Sequence, residues 1–194
     1  TKTARFIKPK RRQNHRKSIL TERQVFKLIV KSYNPCIFME NFINSFFIFG
    51  AKYLYIAIIG VAFLYFLKQS TAIKKQIIIL GAMALPVIYL VAKIIAFFYY
   101  DPRPFVVDNF TPLVPHAPDN GFPSDHTLLS AGIASVLYPF SKKISAVLWV
   151  FTLAIGFSRV YVGIHHPIDI LGSAIISVVF TALIFQLVKK LSNK

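Results

Sequence analysis

The chain has 194 residues, enough for one domain. Its hydrophobic share is 55% and its mean hydropathy +0.57, more apolar than a water-exposed surface needs, so a soluble globular protein is excluded. The net charge of +16, from 23 Lys and Arg against 7 Asp and Glu, would suit nucleic acid or anionic lipid. The excess sits in one tail and in loops beside apolar runs, where the positive-inside rule and lipid attraction account for it; nucleic acid is not an expected partner. A lone Cys36 excludes an intramolecular disulfide and any cysteine-based metal cage.

In chain order, residues 1–24 (TKTARFIKPKRRQNHRKSILTERQ) are basic, polar and without a core pattern. They are expected to form a disordered arm facing lipid, not a signal peptide, since no apolar stretch with a small-residue cleavage site follows. Residues 25–50 mix apolar and polar positions around Asn34-Pro35 and read as an interfacial amphipathic helix or an additional span. Residues 51–194 form the membrane-embedded domain. Its spans are expected over 51–67, 77–99 (with Pro86 as a kink), 125–140, 144–162 and 168–188, the third being the shortest. A polar, Pro-rich segment, 100–123, separates the second from the third. The fold class is therefore all-α, a multi-span helical membrane bundle of five transmembrane helices, or six if 25–50 also crosses.

Lys68, Lys74 and Lys75 lie between the first two spans, Lys142 and Lys143 between the third and fourth, and Lys189, Lys190 and Lys194 after the fifth. These segments are expected to be cytoplasmic. The loops 100–124 and 160–167 then face outward, and the unusual polar residues gather at them. Ionisable groups at membrane depth are costly and mark function by default.

Three clusters stand out. Ser158-Arg159, five residues, His165, three residues, then Asp169 form the first; Pro167 suits the opening turn of a helix. Asp169 can reach back to His165, fix its tautomer and leave the other nitrogen free to attack, while Arg159 offers a planar fork for phosphate oxygens. Read singly, Asp169 is a helix cap and Arg159 a snorkelling side chain. Pro123-Ser124-Asp125-His126 is the second cluster, at a helix start that can bind phosphate. There Ser124 can donate through hydroxyl and amide, and His126 can protonate a leaving oxygen. Asp125 is awkward beside an anion and is expected to point away; a Ser/Asp cap with an incidental His is the plain alternative. The third is Lys93 with Arg103, the latter held between Pro102 and Pro104; Lys93 can also snorkel to headgroups. His116 and His166 are weaker candidates. Zinc on His126, His165, His166 and Asp169 is the lesser reading, because Lys93, Arg103 and Arg159 favour an anion.

Together these residues resemble the membrane branch of the type 2 phosphatidic acid phosphatase superfamily. Its motifs are a Lys followed by Arg-Pro, a Pro-Ser-Gly-His, and Ser-Arg-x5-His-x3-Asp. The last is matched at Ser158, Arg159, His165 and Asp169. The second carries Asp125 in place of Gly; with GFPSDHT and LVPHAPDNG around it, it resembles the bacitracin-resistance type of undecaprenyl-diphosphate phosphatases. In the first, Lys93 stands ten residues before Arg103 instead of the usual seven. The likeness covers about residues 77–175.

The resemblance implies His165 as a nucleophile forming a phosphohistidine, Asp169 orienting it, and His126 as acid and then base. It also implies a phosphate site at Arg103, Ser124, Arg159, Lys93 and the variant Asp125, with no metal or cofactor. The substrate would be a polyprenyl diphosphate, recycled as a cell-wall lipid carrier, in a bilayer containing anionic lipids. The site would open at the outer face of a bacterial plasma membrane. A phosphatidic acid or phosphatidylglycerophosphate phosphatase is the alternative within the same chemistry. A non-enzymatic lipid-binding or transport protein is the alternative of another class.

Overall fold

The structure, a computed structural model, describes residues 35–192. The basic arm 1–24 and residues 25–34 lie outside them. Two units divide the chain, 1–40 and 41–194, and every contact discussed below lies within the second. Six helices follow in order: α1 (Pro35–Leu67), α2 (Thr71–Phe98), α3 (Pro104–Val107), α4 (Asp125–Leu137), α5 (Lys142–Tyr161) and α6 (Pro167–Ser192). Among the described residues the only β pairing is an isolated bridge between Pro102 and Asn120. The all-α expectation holds.

Among the described residues, four helices are long and apolar enough to cross a membrane: Met39–Leu67, Thr71–Phe98, Lys142–Tyr161 and Pro167–Leu191. Two sequence boundaries need correction. Residues 35–50 run without a break into the span expected from 51, so α1 is one helix of 33 residues. The expected span 125–140 is a helix of 13 residues, about 20 Å at 1.5 Å per residue against the roughly 30 Å of a bilayer core. It ends at Leu137, ahead of Pro139, which has no amide hydrogen with which to continue the helix. α4 is instead the buried centre of the bundle, packed against α2, α5 and α6. Its inward residues are small, with Ala131, Ala134 and Ser130 each at 1% exposure or less, which lets three helices approach it closely.

Large apolar side chains such as Phe42, Phe97, Val150, Phe157 and Ile175 point outward, as lipid contact allows. The interior carries Ser, Thr, Ala and Gly, with hydroxyls bonding across helices. On α6, Asp169, Ser173, Ser177 and Thr181 repeat every four residues and share one face. The Ser173 and Ser177 hydroxyls donate to the Ser124 and Leu128 carbonyls of the α4 segment, both at about 3 Å (3.1 and 3.0 Å). From α5, the Ser145 hydroxyl donates to the Ala134 carbonyl at 2.8 Å. These bonds set the height of α4 against its neighbours.

The Lys-bearing ends converge at one end of the bundle: Gln76 of α2, Phe140 of the α4–α5 turn and Lys189 of α6 line one recess. The polar clusters lie at the other end. α5 and α6 meet closely at Gly156, where an added Cβ would collide with Ile170. Gly156→Ala is expected to destabilise the bundle by about 1–3 kcal/mol, the usual effect of overpacking, read as a lower unfolding midpoint in detergent.

Candidate active site

The loops bring the three sequence clusters to one cavity of about 280 Å³. Its walls include Lys93, Arg103, Asp125, His126, Arg159 and His165. α5 delivers Arg159 from its last turn. The chain then reverses through Gly163, whose φ of +81° is the left-handed conformation that glycine adopts without strain. That turn, closed by the Ile164 amide donating to the Arg159 carbonyl at 3.2 Å, carries His165 back over Arg159. Pro167 then opens α6 and sets Asp169 in its first turn.

His165 is 2% exposed and Asp169 0%. The Asp169 Oδ2 atom accepts from His165 Nδ1 at 3.1 Å and from the His166 amide at 2.9 Å. Two guanidinium nitrogens, Arg159 Nη2 and Arg103 Nη1, approach the other ring nitrogen, Nε2, at 3.1 and 3.3 Å. Guanidinium only donates, so this network assigns the proton to Nδ1 and a lone pair to Nε2. Burial first, then Arg159, Arg103 and His116, lower the His165 pKa to about 2, which keeps the ring neutral.

Arg103 is held on all sides. Its Nε donates to Asp119 Oδ1 at 2.8 Å, Nη1 to the Ile164 carbonyl at 2.7 Å and Nη2 to the Asn120 carbonyl at 3.4 Å. Burial works against the Asp119 carboxylate, but the Arg103 hydrogen bond and charge hold its pKa below the usual value. Arg159 donates from Nη1 to the Ala51 carbonyl of α1 at 3.1 Å, and its Nε is buried without an acceptor. Among the described residues it pairs with no carboxylate. A buried guanidinium without a carboxylate leaves the cavity short of negative charge, which suits a bound oxyanion.

His126 lies against Tyr55 of α1 in an edge-to-face contact, with ring centroids 5.0 Å apart. Lys93 and Asp125 form an ion pair at 3.2 Å on the cavity wall, so Asp125 turns toward the site and not away from it. Ser124 departs from its expected place. It is fully buried, one layer behind the wall, where its hydroxyl accepts from Thr127 at 3.2 Å and its amide points to the Asp169 carbonyl at 3.5 Å.

Sequence reasoning passed over Asp119 and Asn120, which line the cavity together with His116. Asn120 ties the loop down, donating to the Ala96 and Tyr99 carbonyls and accepting from the Asp101 and Phe122 amides. The His116 ring faces His165 at 6.4 Å between centroids. The available signal was a polar Pro-Asp-Asn-Gly stretch inside an otherwise apolar chain.

The PAP2 superfamily model matches residues 75–193. The undecaprenyl-diphosphatase BcrC of Bacillus subtilis (strain 168) is 33% identical over 150 residues, 76% of this chain and 76% of its own. The bacitracin transport permease protein BcrC of Bacillus licheniformis is 30% identical over 154 residues, 78% of this chain and 75% of its own. Aquifex aeolicus LpxE superposes with a TM-score of 0.59 at 24% identity, over 84% of this chain and 93% of that one, a likeness of fold.

If the guanidiniums form an oxyanion site, Arg159→Ala should weaken binding of inorganic phosphate. The expected loss is roughly 10- to 100-fold, the range of a charge-assisted hydrogen bond to an ion, measured by calorimetry in detergent.

Proposed function

The chain belongs to the PAP2 superfamily, and on that premise we propose that it is an integral-membrane lipid phosphatase cleaving undecaprenyl diphosphate to undecaprenyl phosphate and inorganic phosphate. The observation that carries this reading is His165 Nε2, which faces two guanidiniums at 3.1 and 3.3 Å while Nδ1 is tied to a buried carboxylate. Arg103 and Arg159 hold the terminal phosphoryl oxygens. His165 Nε2 attacks phosphorus in line, and the anhydride P–O bond breaks. The electron pair leaves with the lipid monophosphate, to which His126 gives a proton. His126 then takes a proton from water, whose oxygen attacks the phosphohistidine; the N–P bond breaks and phosphate departs. The imidazolium formed on His165 is stabilised by Asp169. Cationic side chains supply the charge stabilisation, and no metal takes part in any step.

A diphosphate brings a second phosphate group, and the cavity offers a third cation. Lys93, paired with Asp125, holds the leaving phosphate on this reading. Lys93 stands one helical turn before Ala96, the position seven residues ahead of Arg103, and Ala96 lines the same cavity. Ser124 acts from behind the wall, fixing the start of α4 and so the place of His126. The lysine-rich end faces the cytoplasm and attracts anionic lipid, and the site opens at the outer face of a bacterial plasma membrane. This is where a lipid diphosphate remains once its cargo has been transferred.

Phosphate release from a C55 prenyl diphosphate, in excess chelator, tests the chemistry. His165→Ala should lose essentially all activity; retained activity overturns the nucleophile. Lys93→Ala should lower kcat/KM for the diphosphate about tenfold while leaving a lipid monophosphate nearly unaffected, as expected of a single charge-assisted contact. Topology is tested by cysteine labelling in a Cys36→Ser background. A cysteine at exposed Asp108 (Asp108→Cys) should react with an impermeant maleimide on intact cells, and one at Lys142 (Lys142→Cys) only after permeabilisation.

A further inference from the structure

The phosphatase reading uses one of the two oxygens of Asp169. Oδ2 takes the His165 ring and the His166 amide, while Oδ1 is buried with no donor assigned to it. Two side chains lie near the Asp169 carboxyl. Asp101, in the turn after α2, and His166, just before α6, bring an oxygen and a ring nitrogen within 4.8 Å of an Asp169 oxygen and of each other. His166 Nδ1 is 3.4 Å from Asp101 Oδ2.

The Asp101 backbone is fixed there. Its amide donates to Asn120 Oδ1 at 3.0 Å, and its carbonyl accepts from the Gly121 amide at 2.8 Å. Gly121 lets this loop close against α6, since a Cβ would stand 3.1 Å from Asp169 Oδ2 and 3.2 Å from the Asp101 carbonyl oxygen.

Two carboxyl groups this close repel each other when both are ionised, and a proton held by one of them relieves that repulsion. The nearby guanidiniums of Arg103 and Arg159 are directed at His165 Nε2, at the Asp119 carboxylate and at carbonyl oxygens. Asp169 has two donors that stabilise its charge, so the proton belongs to Asp101. Burial, and after it the Asp169 charge, raise the Asp101 carboxyl above its usual range, with the His166 ring opposing.

We infer that Asp101 is a positioning residue: its protonated carboxyl donates to Oδ1 of Asp169 and locks the carboxylate that orients His165. A third donor stops Asp169 from turning about its Cβ–Cγ bond, which would carry His165 Nε2 off the line of attack. The role rests on His165 as nucleophile. Asp101 faces His166 from the α5–α6 loop and Asp169 from α6, and Arg103 stands two residues along its own turn.

The experiment is phosphate release from a C55 prenyl diphosphate by the full chain, across pH, for wild type, Asp101→Asn and Asp101→Ala. The amide of Asn keeps a donor and cannot ionise. Asp101→Asn should therefore hold kcat within about threefold at the wild-type optimum, and Asp101→Ala should lose more than about tenfold in kcat with KM little changed. Only protonated Asp101 donates, so wild-type kcat should fall as pH rises through its raised pKa, and Asp101→Asn should lack that limb. The inference is overturned if Asn loses as much as Ala, as an ionised partner of His166 or a cation ligand would require. It is also overturned if neither variant differs from wild type, or if the alkaline limb persists in Asn. Should Asp101→Ala fail to fold, the limb in Asp101→Asn decides alone. His165→Ala run alongside separates the two readings: residual activity there defeats the nucleophile, whereas an inactive His165→Ala beside an unaltered Asp101→Ala defeats only Asp101.

Discussion

Two guanidinium groups converge on one imidazole nitrogen inside a bundle whose outer surface is lipid-facing, and the rest of the structure follows from keeping them there. Buried cations repel each other and pay heavily for lost water. Arg103 survives because Asp119 and the Ile164 and Asn120 carbonyls surround it. Arg159 has a single carbonyl of α1 and the His165 ring, with one nitrogen left over. An oxyanion between the two would satisfy both, and on the proposed function that charge is the one the substrate brings.

Helix packing supplies the precision. In lipid the apolar effect does not draw helices together, so close approach relies on small residues and hydroxyl-to-carbonyl bonds. Ser173 and Ser177 on α6 and Ser145 on α5 fasten α4 from two sides. The same α6 face begins at Asp169. Registering α4 against α6 therefore also registers His126 against the His165–Asp169 pair, linking the core to the chemistry through one helix face.

The site's polar residues divide by where they stand. His165, Arg103, Arg159 and His126 line the cavity, whereas Ser124, Asp169 and Asp101 are not among its walls. Spacing in a motif does not separate these layers, because a residue beside a wall position in sequence can lie behind it in space. Ser124 shows this. Its neighbours Pro123 and Asp125 line the cavity while it is fully buried.

Much was legible without coordinates. Runs of apolar residues reported a membrane bundle, since length and hydropathy are local properties of a helix. The Ser-Arg-x5-His-x3-Asp string placed Arg159, His165 and Asp169 together, because a helix end, a glycine turn and a helix start are a short-range matter. Lysines at three loops pointed to one end of the bundle. Tertiary structure alone decided that α4 is a short buried centre in place of a fifth full span, since burial by neighbours is invisible to hydropathy. It also decided that Asp125 turns in to Lys93, that Asp119 grips Arg103, and that Asp101 meets Asp169. Each of those pairs joins residues 16 to 68 positions apart, and only the packing of separate helices and loops brings them within reach.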